Sequence, residues 1–224
     1  MMMTVSIAMI PCLLFGIYNV GYQHFLALGQ EAAILDMLLV GAIQVLPVVV
    51  VSYAVGLGTE FAIATIRQHP INEGYLVTGM LIPLVMPPDI PLWQIALATI
   101  FAVVIAKEAF GGTGMNVLNV ALTARAFLYF AYPAQISGDV WTYLGEGNQA
   151  VAGYTGATPL SIGANSLTTG ENVVASFGSY GAGWADGLFS FSNLFFGFMP
   201  GCIGETSTLM ALIGAAILII TGVG

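Results

Sequence analysis

Polar positions fall in a few clusters along this chain, and the stretches between them are apolar over membrane-like lengths. Thr4 to Tyr22 is apolar for about the 20 residues that a bilayer-crossing helix needs. Pro11 and Gly16 inside it predict a kink. Gln23-His24 opens a short polar connection. Ala33 to about Glu60 predicts a second, longer span containing Pro47, which runs on to a stop at Arg67-Gln68-His69-Pro70. Tyr75 to Met86, closed by Pro87-Pro88-Asp89, is short for a simple span and predicts a tilted, distorted or re-entrant segment. Pro91 to Ala106 predicts a helix closed by Lys107-Glu108. After the glycine run Gly111 to Asn116, Val117 to Tyr132 is apolar again except for Asn119, Thr123 and Arg125. Pro133 to Ala185 is rich in Gly, Ser, Thr and Asn, lacks Lys and Arg, and reads as an aqueous loop too long to be a passive connector. Leu188 to Met199 is short and aromatic, as for an interfacial segment. Pro200-Gly201 breaks it, and Ile203 to Ile220 predicts the last span, with Glu205 near its start.

The apolar residues form continuous runs rather than alternating, which favours helices over a membrane β-barrel. Composition agrees: 58% of the 224 residues are hydrophobic and 6% charged, with a mean hydropathy of +0.93, against roughly 25% charged residues in soluble domains. The predicted class is an all-α, polytopic membrane bundle with interrupted or re-entrant segments and one long extracytoplasmic loop. It divides into a first helical bundle (1–132), the loop (133–185), and an interfacial segment plus a last helix (186–224). Arg67 ends the second span and Lys107 the fourth, which puts both on one side, the cytoplasm by the positive-inside rule, and the long loop outside. Three basic residues against 11 acidic ones leave nothing to bind nucleic acid. Cys12, Cys202, His24 and His69 show no metal-ligand spacing, and the cysteines read as small apolar residues. Met1-Met2-Met3 lacks the basic region of a signal peptide. The chain ends where a membrane helix has just finished, so it is expected to be truncated.

Four places carry possible chemistry. In Thr155-Gly156-Ala157-Thr158, the Thr158 hydroxyl can be esterified to a phosphate. Gly156 and Ala157 leave the backbone uncluttered, Thr155 adds a second hydroxyl, and Pro159 fixes the chain beyond. By itself this tetrapeptide is more often an ordinary turn. Asn116 and Asn119, three apart, would share a helix face and offer amides to a ligand edge. The plainer reading is capping by Asn116 and interhelical bonding by Asn119. Arg125, nine positions into its segment and about 13 Å along a helix, needs an acidic partner, a water-filled cavity or a negatively charged cofactor. Gly56 and Gly58, before Glu60, permit close helix packing. Asp36, Glu73 and Glu108 read as interfacial charges.

Lys107-Glu108-Ala109-Phe110-Gly111-Gly112-Thr113-Gly114, Ala121-Leu122-Thr123-Ala124-Arg125-Ala126-Phe127 and Phe130-Ala131-Tyr132-Pro133-Ala134-Gln135-Ile136-Ser137-Gly138-Asp139 closely resemble the NqrB subunit of the sodium-pumping NADH:quinone reductases. So do Tyr18-Asn19-Val20-Gly21, Asn72-Glu73-Gly74-Tyr75-Leu76-Val77-Thr78, Pro87-Pro88 with Pro91-Leu92-Trp93, and Gly204-Glu205-Thr206-Ser207-Thr208-Leu209. The resemblance implies FMN esterified to Thr158 by a flavin transferase, a non-covalent riboflavin beside Asn116 and Asn119, and a quinone or ion region near Gly56, Gly58 and Glu60. Arg125 would then stabilise negative charge on a reduced flavin. It further implies a multi-pass protein of the bacterial inner membrane. There it would act in a complex with other membrane subunits, one carrying a second covalent FMN, and pass electrons to quinone while the complex exports Na+. The RnfD subunit of ferredoxin:NAD oxidoreductases shares the attachment motif and is the nearest alternative. A channel or transporter frame without flavin is the other. The chain departs from the family at Ala152, where Asp is usual, at Met115 in place of Arg, and at Val120 in place of Pro.

Overall fold

The computed structural model describes residues 2–68, 73–112, 114–137, 140–145, 150, 154, 156–173, 176 and 190–223. The apolar runs form helices because a helix meets its own backbone hydrogen-bonding needs where no water is available. In chain order these are α1 (Met2–Ala27), α2 (Ile34–Arg67), α3 (Tyr75–Leu84), α4 (Leu92–Ala102), α5 (Val120–Ala131), α6 (Pro159–Thr169), α7 (Phe191–Phe196) and α8 (Thr208–Ile220). A π turn, Val103–Lys107, and a 3-10 turn, Glu108–Phe110, extend α4. Met2–Ala27, Ile34–Arg67 and Leu92–Phe110 are long and apolar enough to cross a membrane, while α3, α5 and α8 are shorter apolar helices. No strand occurs among the described residues. The fold is that of an all-α membrane protein. Pro11 and Pro47 both lie inside continuous helices.

α1 is the hub. Gly21 lies against the Met37 backbone and Gly41 against Ile17, so α1 and α2 pack antiparallel with their main chains nearly touching. On another face Gly16 meets Ile203 and Gly214 meets Ala8, so α1 also packs antiparallel to the α8 segment. A Cβ at any of these glycines would overlap a facing carbonyl, which is why small residues recur at membrane helix interfaces. α2 and α4 run parallel: Gln44 Nε2 donates to the Pro88 carbonyl at 2.8 Å near one end, and Glu60 meets Lys107 near the other. The core they share with α1, α3 and α5 includes Val45, Val48, Tyr75, Ile82, Ile95, Ala98, Leu128 and Ile203. Ile43, Val50, Phe61 and Ile66 of α2 stay exposed, as expected where lipid is the solvent.

Two interrupted segments meet in the middle of this arrangement. α3 ends at Leu84, and the carbonyls from Leu84 onward have no further helical turn to bond them. The Leu84 carbonyl accepts from Gly204 N–H at 2.8 Å, that of Val85 from Arg125 Nη1 at 2.6 Å, and that of Met86 from Ile203 N–H at 3.0 Å. Tyr75 to Met86 is therefore a half-helix, in line with the expected distorted segment. The last span begins later than the apolar pattern suggested. Residues 203–207 are non-helical and α8 starts at Thr208, capped by Ser207 Oγ accepting from Met210 N–H at 3.3 Å. Ile203 and Gly204 spend their N–H groups on α3 instead of on a helix of their own.

The stretch 133–185 departs from a purely aqueous loop. Ile136 and Trp141 are buried, the Tyr143 carbonyl lies 2.9 Å from His24 Nδ1, and Pro159–Thr169 is a helix. Ile136 and Trp141 carry enough apolar surface to fold the start of the loop back onto the bundle.

Candidate site at the attachment threonine and the arginine hub

Thr158 is the N-cap residue of α6. Its backbone is extended (φ −75°, ψ 159°), Pro159 follows at the first helical position, and its Oγ1 accepts from Ser161 N–H at 3.3 Å. Thr-Pro is a natural helix start: the hydroxyl satisfies one orphan donor and proline has none to lose. Thr158 is half-buried, with Gly156 and Ala157 buried beside it. A phosphoester on Oγ1 would place its oxygens at the positive end of an eleven-residue helix, where anions are stabilised. The residues present therefore fit a phosphate. Upstream, the Tyr154 hydroxyl shares a 2.8 Å hydrogen bond with Thr142 Oγ1. Burial pushes the Tyr154 phenol above its ordinary pKa, and the Thr142 bond offsets this in part. Thr155 and Ala152 lie outside the described residues.

Asn116 and Asn119 do not share a helix face. α5 begins only at Val120, so both lie in the approach to it. Asn119 is the N-cap, its Oδ1 accepting from Leu122 N–H at 3.1 Å, and Asn116 Nδ2 donates to the Leu118 carbonyl at 3.1 Å. The capping role falls to Asn119, not Asn116, because Val117 and Leu118 sit in a bend that breaks the predicted helix. Among the described residues, each amide keeps one polar end uncommitted: Oδ1 on Asn116 and Nδ2 on Asn119. That acceptor and donor fit a ring edge carrying both kinds of group.

Arg125 is the sixth residue of α5, about 8 Å along its axis, and so shallower than the predicted segment placed it. Besides Val85, its Nη1 donates to Cys202 Sγ at 2.9 Å and lies 3.6 Å from Glu205 Oε2. Its guanidinium sits 5.5 Å from the Trp141 ring centre. Of the alternatives that the sequence left open for Arg125, an acidic partner is present: Glu205, on the non-helical segment before α8. Trp141 is adjacent to Thr142, so the arginine hub and the Thr158 stretch connect through Thr142 and Tyr154.

Glu60 pairs with Lys107 at 2.7 Å, with both side chains almost fully buried. Lys107 Nζ also lies 5.5 Å from the centre of the Tyr75 ring, whose hydroxyl donates to the Ser52 carbonyl at 2.8 Å. Gly56 lies under that hydroxyl, whereas a Cβ at Gly58 would meet open space. Gly56 thus has a packing role, and Gly58 meets nothing among the described residues. Glu108 is buried, not interfacial, because Arg67 Nη1 reaches its carbonyl at 2.7 Å and closes α2 over it. Arg67 and Lys107 do share one end of the bundle, but both are engaged by protein groups. The roles of Lys107, Tyr75, Cys202 and Trp141 were not legible in the sequence. The one hint was a charged pair, Lys107-Glu108, at the end of an apolar run.

The sequence matches the NQR2, RnfD, RnfE family over residues 1–224. It is 45% identical over 244 residues to the NqrB subunit of the Na(+)-translocating NADH-quinone reductase of Stutzerimonas stutzeri, covering 98% of this chain and 55% of that protein. The corresponding subunit of Chromohalobacter salexigens is 44% identical over 242 residues (98% and 54%). That of Neisseria meningitidis serogroup B is 41% identical over 252 residues (98% and 56%). The chain thus spans about half the length of these curated relatives. With a match that runs from its first residue to its last, the chain belongs to the NQR2, RnfD, RnfE family.

Proposed function

We propose that this chain is the flavin-bearing part of a membrane redox subunit in a sodium-pumping NADH:quinone reductase. FMN would be esterified to Thr158, and riboflavin held near Asn116 and Asn119. The observation that carries the reading is the placement of the Thr158 hydroxyl at the start of α6. The names of the curated relatives support the complex and its use of NADH, quinone and Na+. Flavins, when bound, supply one- and two-electron chemistry; the protein supplies position and electrostatics. Thr158 would provide the covalent tether, and the α6 N-terminus would stabilise the phosphate charge. Asn116 Oδ1 and Asn119 Nδ2 would orient the second ring. Arg125 would place a positive charge near Trp141, on the connection leading to Thr158. Gly56, Gly58 and Glu60 remain the candidate quinone or ion region. A flavin transferase, the other membrane subunits and a second covalent-FMN subunit are the expected partners, and the bacterial inner membrane the expected location.

The test is the intact mass of the chain co-expressed with a flavin transferase, with peptide 150–165 mapped for an FMN adduct. Wild type should carry it, and Thr158→Asn should lack it while keeping the helix cap. A bare Thr158 in the presence of active transferase defeats the reading. The meeting of two interrupted segments at Leu84–Met86 and Ile203–Gly204 favours a second reading, a transport frame, since such breaks build ion and substrate sites in transporters.

A further inference from the structure

Resting on the reading that Asn116 and Asn119 face a cofactor, we propose that the buried Glu60–Lys107 pair, braced by Arg67, positions the glycine loop bearing those asparagines. It thereby couples α2 to the second cofactor site. Lys107 ends the π turn Val103–Lys107. A π turn spans five residues per hydrogen bond instead of four, which displaces later side chains around the axis; such turns are rare and cluster at functional sites. Here the displaced side chain is an ammonium held 2.7 Å from a carboxylate on α2. The second carboxylate oxygen of Glu60 is buried with no hydrogen-bond partner among the described residues, so the pairing of Glu60 depends on Lys107. A buried ion pair adds little net stability because desolvation cancels most of its attraction. Its consequence here is to fix where the end of α4 lies.

That end holds the loop. The Lys107 carbonyl accepts from Gly112 N–H at 3.0 Å, and the Glu108 carbonyl from Gly111 N–H at 3.3 Å. Arg67 grips the same Glu108 carbonyl from α2. Among the described residues, the loop's other bonds are internal: Met115 N–H donates to the Gly112 carbonyl at 3.2 Å, and Asn116 Nδ2 to the Leu118 carbonyl. Gly111, Gly112 and Gly114 have positive φ, nothing lies near a Cβ at Gly112 or Gly114, and Met115 and Val117 are exposed. A stretch with so few neighbours takes its position from its anchors. At one end it enters α5 through the Asn119 cap; at the other, the anchors are two carbonyls whose residues are tied to α2, one by a side-chain ion pair and one by Arg67. Lys107 and Glu60 are positioning residues for the loop.

The experiment uses the full chain in its native membranes with Cys12→Ala and Cys202→Ser, which removes both cysteines, and with Met115→Cys as a probe. The readout is the rate of maleimide alkylation at position 115. Glu60→Gln and Lys107→Met should each change it by on the order of fivefold or more, and the double variant by much less than the product, as for coupled contacting residues. Arg67→Gln, at an exposed position, removes the brace without burying a lone charge and decides the matter if the buried variants fail to accumulate. Rates equal to the parent in Glu60→Gln and Arg67→Gln overturn the proposal. Non-covalent flavin extracted from the same membranes separates the two readings. A shifted rate in membranes whose parent binds no flavin defeats the cofactor assignment and leaves the coupling. An unshifted rate with flavin bound defeats the coupling alone.

Discussion

Single side chains here hold local geometry and offer chemistry at once, so each needs a variant that separates the two. Thr158→Ala would remove a cap worth about 1 kcal/mol along with the hydroxyl. Thr158→Ser keeps both and should retain a flavin adduct, while Thr158→Asn keeps only the cap and should lose it; mass spectrometry compares them. Arg125→Leu strips the Val85 carbonyl of its donor and should cost about 1–3 kcal/mol, read as a lower unfolding temperature in detergent. Glu205→Gln should cost under about 1 kcal/mol, because that side of the pair is 55% exposed. A shift in flavin potential from Arg125→Leu, with none from Glu205→Gln, would point to electrostatics toward a cofactor rather than to the ion pair. These residues were visible in the sequence as oddities: a charge in an apolar run, asparagines before a helix, a threonine before a proline. Their partners were not, because Val85, Cys202, Glu205 and Trp141 lie between 16 and 80 positions from Arg125 in the chain.

Among the helices, close approach through glycine decides what can change. Gly41→Ala would drive a methyl group into the Ile17 carbonyl and Gly56→Ala would collide with the Tyr75 hydroxyl. Each should destabilise the bundle by about 1–3 kcal/mol, the usual cost of overpacking. Gly58→Ala meets nothing and should leave thermal stability unchanged. That contrast makes Gly58 the informative position: if Gly58→Ala alters quinone reduction or Na+ dependence in the assembled complex at unaltered stability, a ligand passes there. Equal stability loss at both glycines would show that the open space beside Gly58 is filled. The long helices were legible because composition and length suffice to specify them. The start of α5 was not, since Val117 and Leu118 are as apolar as the helix that follows, and only the bend that leaves Asn119 as its cap places the boundary.

Across the molecule, the crossing of the two interrupted segments ties α3, α5 and α8 into one unit. Ile203 and Gly204 lie outside any helix, yet their N–H groups are bonded to Met86 and Leu84. Their amides should exchange with deuterium as slowly as those within α8, and Arg125→Leu should speed them. Fast exchange in the parent protein would mean that this crossing opens readily, as expected of a gate and not of a strut.

Hydropathy alone determined that this is an all-α membrane protein, roughly where its long helices lie, and that Tyr75–Met86 is not an ordinary span. A continuous apolar run in lipid has one way to satisfy its backbone. Tertiary structure alone decided that Lys107 and Glu108 are buried, that Glu60 has a cationic partner, that α8 starts late, and that Arg125 closes the end of α3. Each of these is a long-range pairing of polar groups within an apolar frame. Sequence spacing does not encode such pairings, because they depend on which helix ends meet once the packing is complete.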